Sequence, residues 1–365
     1  ATGTFGVALA ATWDRSQHDQ ADLAVGTDLA LTLTTPPVAG QGTGVAQATG
    51  ARAVSPATDR GVAIGQWLGG ANDTPHLVAV DTTHAGELLR GRLPHGQDWA
   101  SATRGLAPAQ PVGGIPIRAG ATLTVAGTAT GPIPVRVAPQ LLMQDPAGLR
   151  SLCSGAPIAL DGKPHPVAGC APVDGLRLVA VALPIDYDFS YLIDAVRSNF
   201  SVTLGLPGPP GDVSGWKTVA AQATGQLTGT TMTATGNGLT MTGTALFNGS
   251  SADALTLITT AFEAPAAVPV VVSRRLADGI SVTDGSPLEL TVGVTVVPVK
   301  VVGIVPAVPG APGDAAVLAD IDALSRVLTV HGDLTYPADA WWAASPARTD
   351  LAALHLGEAT TRAGE

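Results

Sequence analysis

The chain has 365 residues, and its 19 Lys and Arg against 29 Asp and Glu give a formal charge of -10. That charge repels phosphate backbones and anionic headgroups, and nucleic acid is excluded as a partner. Hydrophobic residues make up 45% but aromatics only 4%, with 44 Gly and 29 Pro, so the interior must come from Ala, Val and Leu on short strands joined by tight turns.

A mean hydropathy of +0.30 prompts a search for an apolar span of about 20 residues. The longest candidate, Val294 to Pro312, is interrupted by Lys300 and by Pro298, Pro306 and Pro309, and reads as a strand followed by a loop. The opening residues lack a basic region and a cleavage site and do not read as a signal peptide. The chain reads as a piece of a longer protein.

In chain order, Trp13 to Val25 is free of Gly and Pro and ends at Gly26, the pattern of a helix with a glycine C-cap. Alternation over Asp28 to Thr34 predicts a strand, Leu77 to Val80 another, and Thr82 or Thr83 to Arg90 a helix. From about residue 111 the composition shifts to Gly, Thr, Val and Pro, and helical periodicity is confined to Tyr191 to Ser198. Short strand patterns recur at Thr122–Val125, Val135–Ala138, Leu176–Leu183, Val202–Leu206, Trp216–Ala221, Met232–Thr235 and Leu255–Thr259. Their spacing predicts one or two β-sandwich or jelly-roll units. Thr228 to Thr244, biased to Thr and Gly, reads as exposed strands. Pro269 to Ser273 and a hairpin within Leu288 to Val305 follow, and Asp320 is placed to cap a helix Ile321 to Val330. The expected class is α+β: a split base domain from residues 1-110 and 266-365, interrupted by a β-rich insertion at 111-265.

Cys153 and Cys170 are the two cysteines of the chain. An isolated pair favours a disulfide and an oxidising compartment, worth about 3 kcal/mol for so short a loop; two reduced core thiols are the other reading. Asp186, Asp188 and Asp194 could offer oxygens to Ca²⁺, or could simply precede a short helix and suit its positive end. The seven histidines, at 18, 76, 84, 95, 165, 331 and 355, show no metal-binding spacing, and no Gly-x-Ser-x-Gly elbow or phosphate-cradling Gly-x-x-x-x-Gly-Lys-Ser/Thr loop occurs. Trp341 and Trp342 read either as packing residues or as anchors at a membrane interface. Trp216 reads as a strand-end core residue or as a platform for a sugar ring. These spacings predict no catalysis and no cofactor.

Several terminal segments carry a resemblance. They are Pro269-Val270-Val271-Val272-Ser273-Arg274-Arg275-Leu276-Ala277-Asp278, the run Val297 to Gly310, Val317 to Leu324, Ala340-Trp341-Trp342 and, near the start, Ser16 to Asp28. In this order they resemble the extracytoplasmic domain of actinobacterial FtsX-like permeases, grouped with MacB-type ABC transporters. The resemblance implies a MacB-like α+β base lying outside the cell membrane between two membrane helices. It also implies coupling to a cytoplasmic ABC ATPase, and binding of a substrate, protein, lipid or glycan outside the membrane. A secreted β-sandwich that binds carbohydrate or mediates adhesion is the alternative, and a secreted hydrolase with a convergent triad a third.

Overall fold

The computed structural model describes residue 13, residues 20–65, 67, 73–94, 96–187, 195–221, 225–247 and 255–361. It divides into two compact units. Unit 1 comprises 1–109, 265–327 and 337–365; unit 2 comprises 110–264 and 328–336.

Unit 1 joins the two ends of the chain in one mixed ten-stranded sheet. Leu29–Leu33 runs antiparallel between Gly357–Thr361 and Ala340–Ala344, and Ala340–Ala344 pairs in turn with Ala53–Gly61. The sheet continues through His76–Val80, Ala316–Asp320, Val268–Ser273, Thr295–Val305 and Pro287–Val292 to the short Ala63–Ile64. Two pairings are parallel, His76–Val80 with Ala316–Asp320 and Val268–Ser273 with Thr295–Val305. These central strands are nearly continuous runs of Val, Leu and Ala because both of their faces are buried. The core includes Val78, Val80, Leu88, Trp99, Leu318 and Trp342.

Helices are short and sit at strand ends. Residues 20–25 are helical and are closed by Gly26, whose φ of 76° suits a left-handed cap. Arg274–Ile280 is capped by Ser273, whose hydroxyl accepts from Leu276 N. Asp320 caps Ile321–Val330 by accepting from Ala323 N at 3.0 Å.

Unit 2 is antiparallel throughout its described strand pairs, in an eight-stranded and a five-stranded sheet. Arg177–Tyr187 is the hub of the larger sheet, pairing with Leu255–Thr260, Val135–Val137, Gln140–Gln144 and Ile115–Pro116. The smaller sheet orders His165–Pro166, Thr124–Thr130, Val196–Gly205, Gly238–Phe247 and Leu227–Thr235. The two sheets meet sandwich-fashion, with the rings of Tyr187 and Phe247 4.4 Å apart between centroids. Cys153 and Cys170 are disulfide-bonded, with Cα atoms 5.2 Å apart.

The expected α+β class, with its MacB-like base, is overturned. The described residues are 43% strand and 15% helix, organised in three sheets. The physical reason lies in lengths: the described helices of unit 1 run to ten residues at most, too short to form a layer covering a ten-stranded sheet. The predicted helix from Thr82 to Arg90 shrinks to a 3-10 turn, Thr82–His84, and one turn of α-helix, Ala85–Leu88. The helical reading of Tyr191 to Ser198 fails where it can be checked, since Val196–Gly205 is a strand; Tyr191 to Asp194 lie outside the described residues.

Candidate interaction face

The sandwich needs one apolar face on each sheet, and the strands of the smaller sheet supply it by strict alternation. Leu239, Met241, Ala245 and Phe247 are buried on Gly238–Phe247, as are Phe200, Val202 and Leu204 on Val196–Gly205. Gly243 leaves room for the Phe200 ring, since a Cβ there would lie 2.8 Å from Phe200 Cζ. The intervening residues therefore all point outward.

What points outward is almost entirely hydroxyl. Gly238–Phe247 presents Thr240, Thr242 and Thr244; Leu227–Thr235 presents Thr233, Thr231 and Thr228 opposite them. A bulge between Thr228 and Thr231, with Gly229 at φ 59°, keeps both of those threonines on the same face. On the other side Thr203, Ser201 and Asn199 stand opposite Thr240, Thr242 and Thr244. Beyond them come Ala126, Thr128 and Thr130. The residues of the field are themselves uncharged; at its borders Arg197 stands opposite Leu246 and Asp161, paired with His165, bridges Thr128.

The hydroxyls hold one another in place. Thr231 and Thr242 bond across strands at 2.7 Å, Thr203 and Thr240 at 2.9 Å, Thr235 and Thr240 at 2.6 Å, and the Thr244 hydroxyl donates to Asn199 Oδ1 at 2.7 Å. Threonine is stiff at χ1, so methyl and hydroxyl positions repeat with the strand lattice.

A second polar cluster lies in unit 1, at the end of its central strands. His76 Nε2 meets Asp59 Oδ1 at 2.5 Å, and Asp59 N donates to Asp339 Oδ1 at 2.7 Å. Arg60 Nε donates to Asp339 Oδ2 at 2.7 Å and its guanidinium also donates to the Pro337 carbonyl. The bond to Asp59 raises the His76 pKa against the opposing effect of burial, with the charges of Asp59, Asp314 and Asp339 adding to it. Burial raises the Asp339 carboxyl despite the nearby Arg60. The cluster ties Ala53–Gly61 to His76–Val80 and to Asp339, just ahead of Ala340–Ala344.

The residues singled out in the sequence are scattered. Trp341 and Trp342 belong to the strand Ala340–Ala344 and are 1% and 0% exposed, so neither reaches a surface. Trp341 Nε1 donates to Gln41 Oε1 at 3.0 Å, whereas Trp342 Nε1 has no hydrogen-bond partner among the described residues. Trp216 is 9% exposed, a core residue at a strand start. Asp186 is exposed opposite Arg136, and its carboxylate accepts from Tyr187 N; Asp188 and Asp194 lie outside the described residues. Among the described residues no group of three or more His, Cys, Asp or Glu side chains is placed to hold a metal ion.

The hydroxyl field was not singled out, although one signal for it is in the sequence. Thr231-x-Thr233-x-Thr235 and Thr240-x-Thr242-x-Thr244 are period-two threonines either side of the turn at Gly236. Thr203 fell within the predicted strand Val202–Leu206, whereas the helical reading of Tyr191 to Ser198 hid the contribution of Asn199 and Ser201.

Comparison with known proteins finds no matching family model, no similar curated protein and no similar solved structure.

Proposed function

We propose that the chain is the extracytoplasmic, non-catalytic domain of an FtsX-like ABC permease, which responds to or drives movements of membrane helices powered by a cytoplasmic ATPase. One observation carries this reading beyond the resemblance of the terminal segments. Leu29, where the first described strand begins, is paired with Thr361, where the last one ends. The first described strand of unit 1 therefore begins, and the last one ends, at the same end of the sheet, an arrangement that suits a domain held between two spans of one membrane. The Cys153–Cys170 disulfide supports an oxidising compartment. No described helix is long and apolar enough to cross a membrane, so in this reading the spans flank the domain.

The test uses the native protein in its own cells. Membranes would be washed with alkaline carbonate and intact cells treated with protease. The expected result is a carbonate-resistant protein, cut from outside, that cross-links to an ATPase bearing the phosphate-cradling loop. A protein released by carbonate, or found free in the medium, would sink the proposal.

A further inference from the structure

We infer that the outer face of the five-stranded sheet docks an extended, uncharged, β-1,4-linked polysaccharide laid across the strands. The first argument is spacing. Neighbouring strands lie about 4.8 Å apart, and outward residues along one strand about 6.8 Å apart. The shorter spacing is close to the advance of one pyranose along an extended glycan ribbon. A ribbon crossing the sheet along the middle row would meet Thr128, Ser201, Thr242 and Thr231 in turn, one hydroxyl per sugar.

The second argument is bonding capacity. A glycan offers hydroxyls that both donate and accept, and a threonine hydroxyl does the same beside a methyl that can lie against sugar C–H groups. In the Thr231–Thr242 pair one proton is spent between the two oxygens, and the other remains to donate outward. The cross-strand bonds fix the rotors before any ligand arrives, which lowers the ordering cost of binding.

The third argument is charge and composition. The field is itself uncharged, and the charge nearest its middle row is the Asp161 carboxylate beside Thr128, on a chain of net charge -10; both disfavour an anionic polymer and favour a neutral one. Protein interfaces concentrate aromatic residues, Met and Arg at their centres, and this field has none of them. With no ring to stack on, a single sugar binds weakly, and affinity comes from many hydroxyls engaging one long chain. The inference relies on the extracytoplasmic placement proposed above only for access to the polymer.

The experiment is co-sedimentation of the purified 365-residue chain with insoluble cellulose and chitin. Cellobiose, long cello-oligosaccharides and polygalacturonate serve as competitors. Retention on at least one neutral ribbon is expected, competed by the long oligosaccharide and not by cellobiose or polygalacturonate. Each lost hydroxyl bond should weaken binding about fivefold. The variant Ser201→Ala/Thr231→Val/Thr242→Val should therefore lose retention by more than tenfold at unchanged Tm, and Thr242→Lys should do the same by placing a charge mid-row. Thr291→Val in unit 1 should bind as the parent chain does. No retention on either polymer, retention untouched by the middle-row variants, or equal competition by polygalacturonate would overturn the inference. Release of the native protein from membranes would not bear on it, and a failure of co-sedimentation would leave the permease proposal standing.

Discussion

The two units differ most in what their sheets present on the outward side. Unit 1 buries polar groups at strand ends: Asp320 accepts from Thr82 N, Thr82 Oγ1 and Ala323 N, and Asp28 takes a two-point bond from Arg90 and a third from Ser345 N. Burial raises the Asp320 carboxyl against those bonds. Unit 2 buries some too, with Asp145 accepting from Leu149 N and Arg150 donating to Gln144 Oε1, but it adds an outward face of hydroxyls and closes a short loop with a disulfide. The difference teaches what each unit is built to resist. Unit 1 fixes the ends of a mixed sheet whose centre is apolar on both sides, whereas unit 2 lays threonine, serine and asparagine side chains over one face of its smaller sheet.

Substitutions can break that contrast, the most damaging first. Trp342→Ala empties a fully buried site in unit 1 and should cost about 4 kcal/mol. Hydrogen exchange should show the loss of protection in 29–33, 53–61 and 340–344, and protection lost equally in unit 2 would erase the distinction between the units. Trp342→Phe should be far milder than Trp341→Phe. The former removes an orphan donor, whereas the latter leaves Gln41 Oε1 without its bond.

Cys153→Ala/Cys170→Ala should cost about 3 kcal/mol, read as a fall in the denaturant midpoint. Its exchange signature should be confined to unit 2.

The His76 cluster predicts a pH effect of definite sign. Its folded pKa is raised above the unfolded value, so its contribution is full below the unfolded pKa of about 6.5 and is lost as pH rises through the folded value. His76→Gln should therefore destabilise the protein more at pH 5.5 than at pH 9, measured as the difference in Tm from the parent chain. A gap that widens toward pH 9 would overturn the assignment. Last, Thr242→Val should leave stability within about 0.5 kcal/mol, because its hydroxyl serves the surface and not the core.

Much of the β structure was legible because alternation leaves a mark that no tertiary contact is needed to read. Leu29–Leu33 and the hairpin of Pro287–Val292 with Thr295–Val305 follow it, His76–Val80 and Val268–Ser273 were legible instead as short Val-rich runs, and Asp320 announced its helix by capping chemistry. The helix Gln41–Thr49 was not legible. It begins at Gly40, without a side-chain cap, and carries two glycines of its own, so its propensity is poor and packing of Val45 sustains it. The strand Ala340–Ala344 was hidden because five consecutive buried residues have no period. The α+β expectation failed for a related reason, since resemblance to a family carries its architecture along while this chain's short helices do not. The hydroxyl field needed the register of four strands, which sequence spacing alone does not provide.

The pairing of Leu29 with Thr361 has a mechanical meaning. Because the strands Leu29–Leu33 and Gly357–Thr361 are antiparallel and the chain departs from both at the same end, tension applied to the two departing segments peels them apart rung by rung. It does not load all the rungs at once, as shear along the strands would. Upstream of that pair the bonds from Gly310 N to Leu23 O and from Arg90 N to Gly26 O must part first; the Leu29–Thr361 rung follows, while Leu29–Leu33 stays anchored on its other side by Ala340–Ala344. Pulled this way, the edge of the sheet opens in small steps.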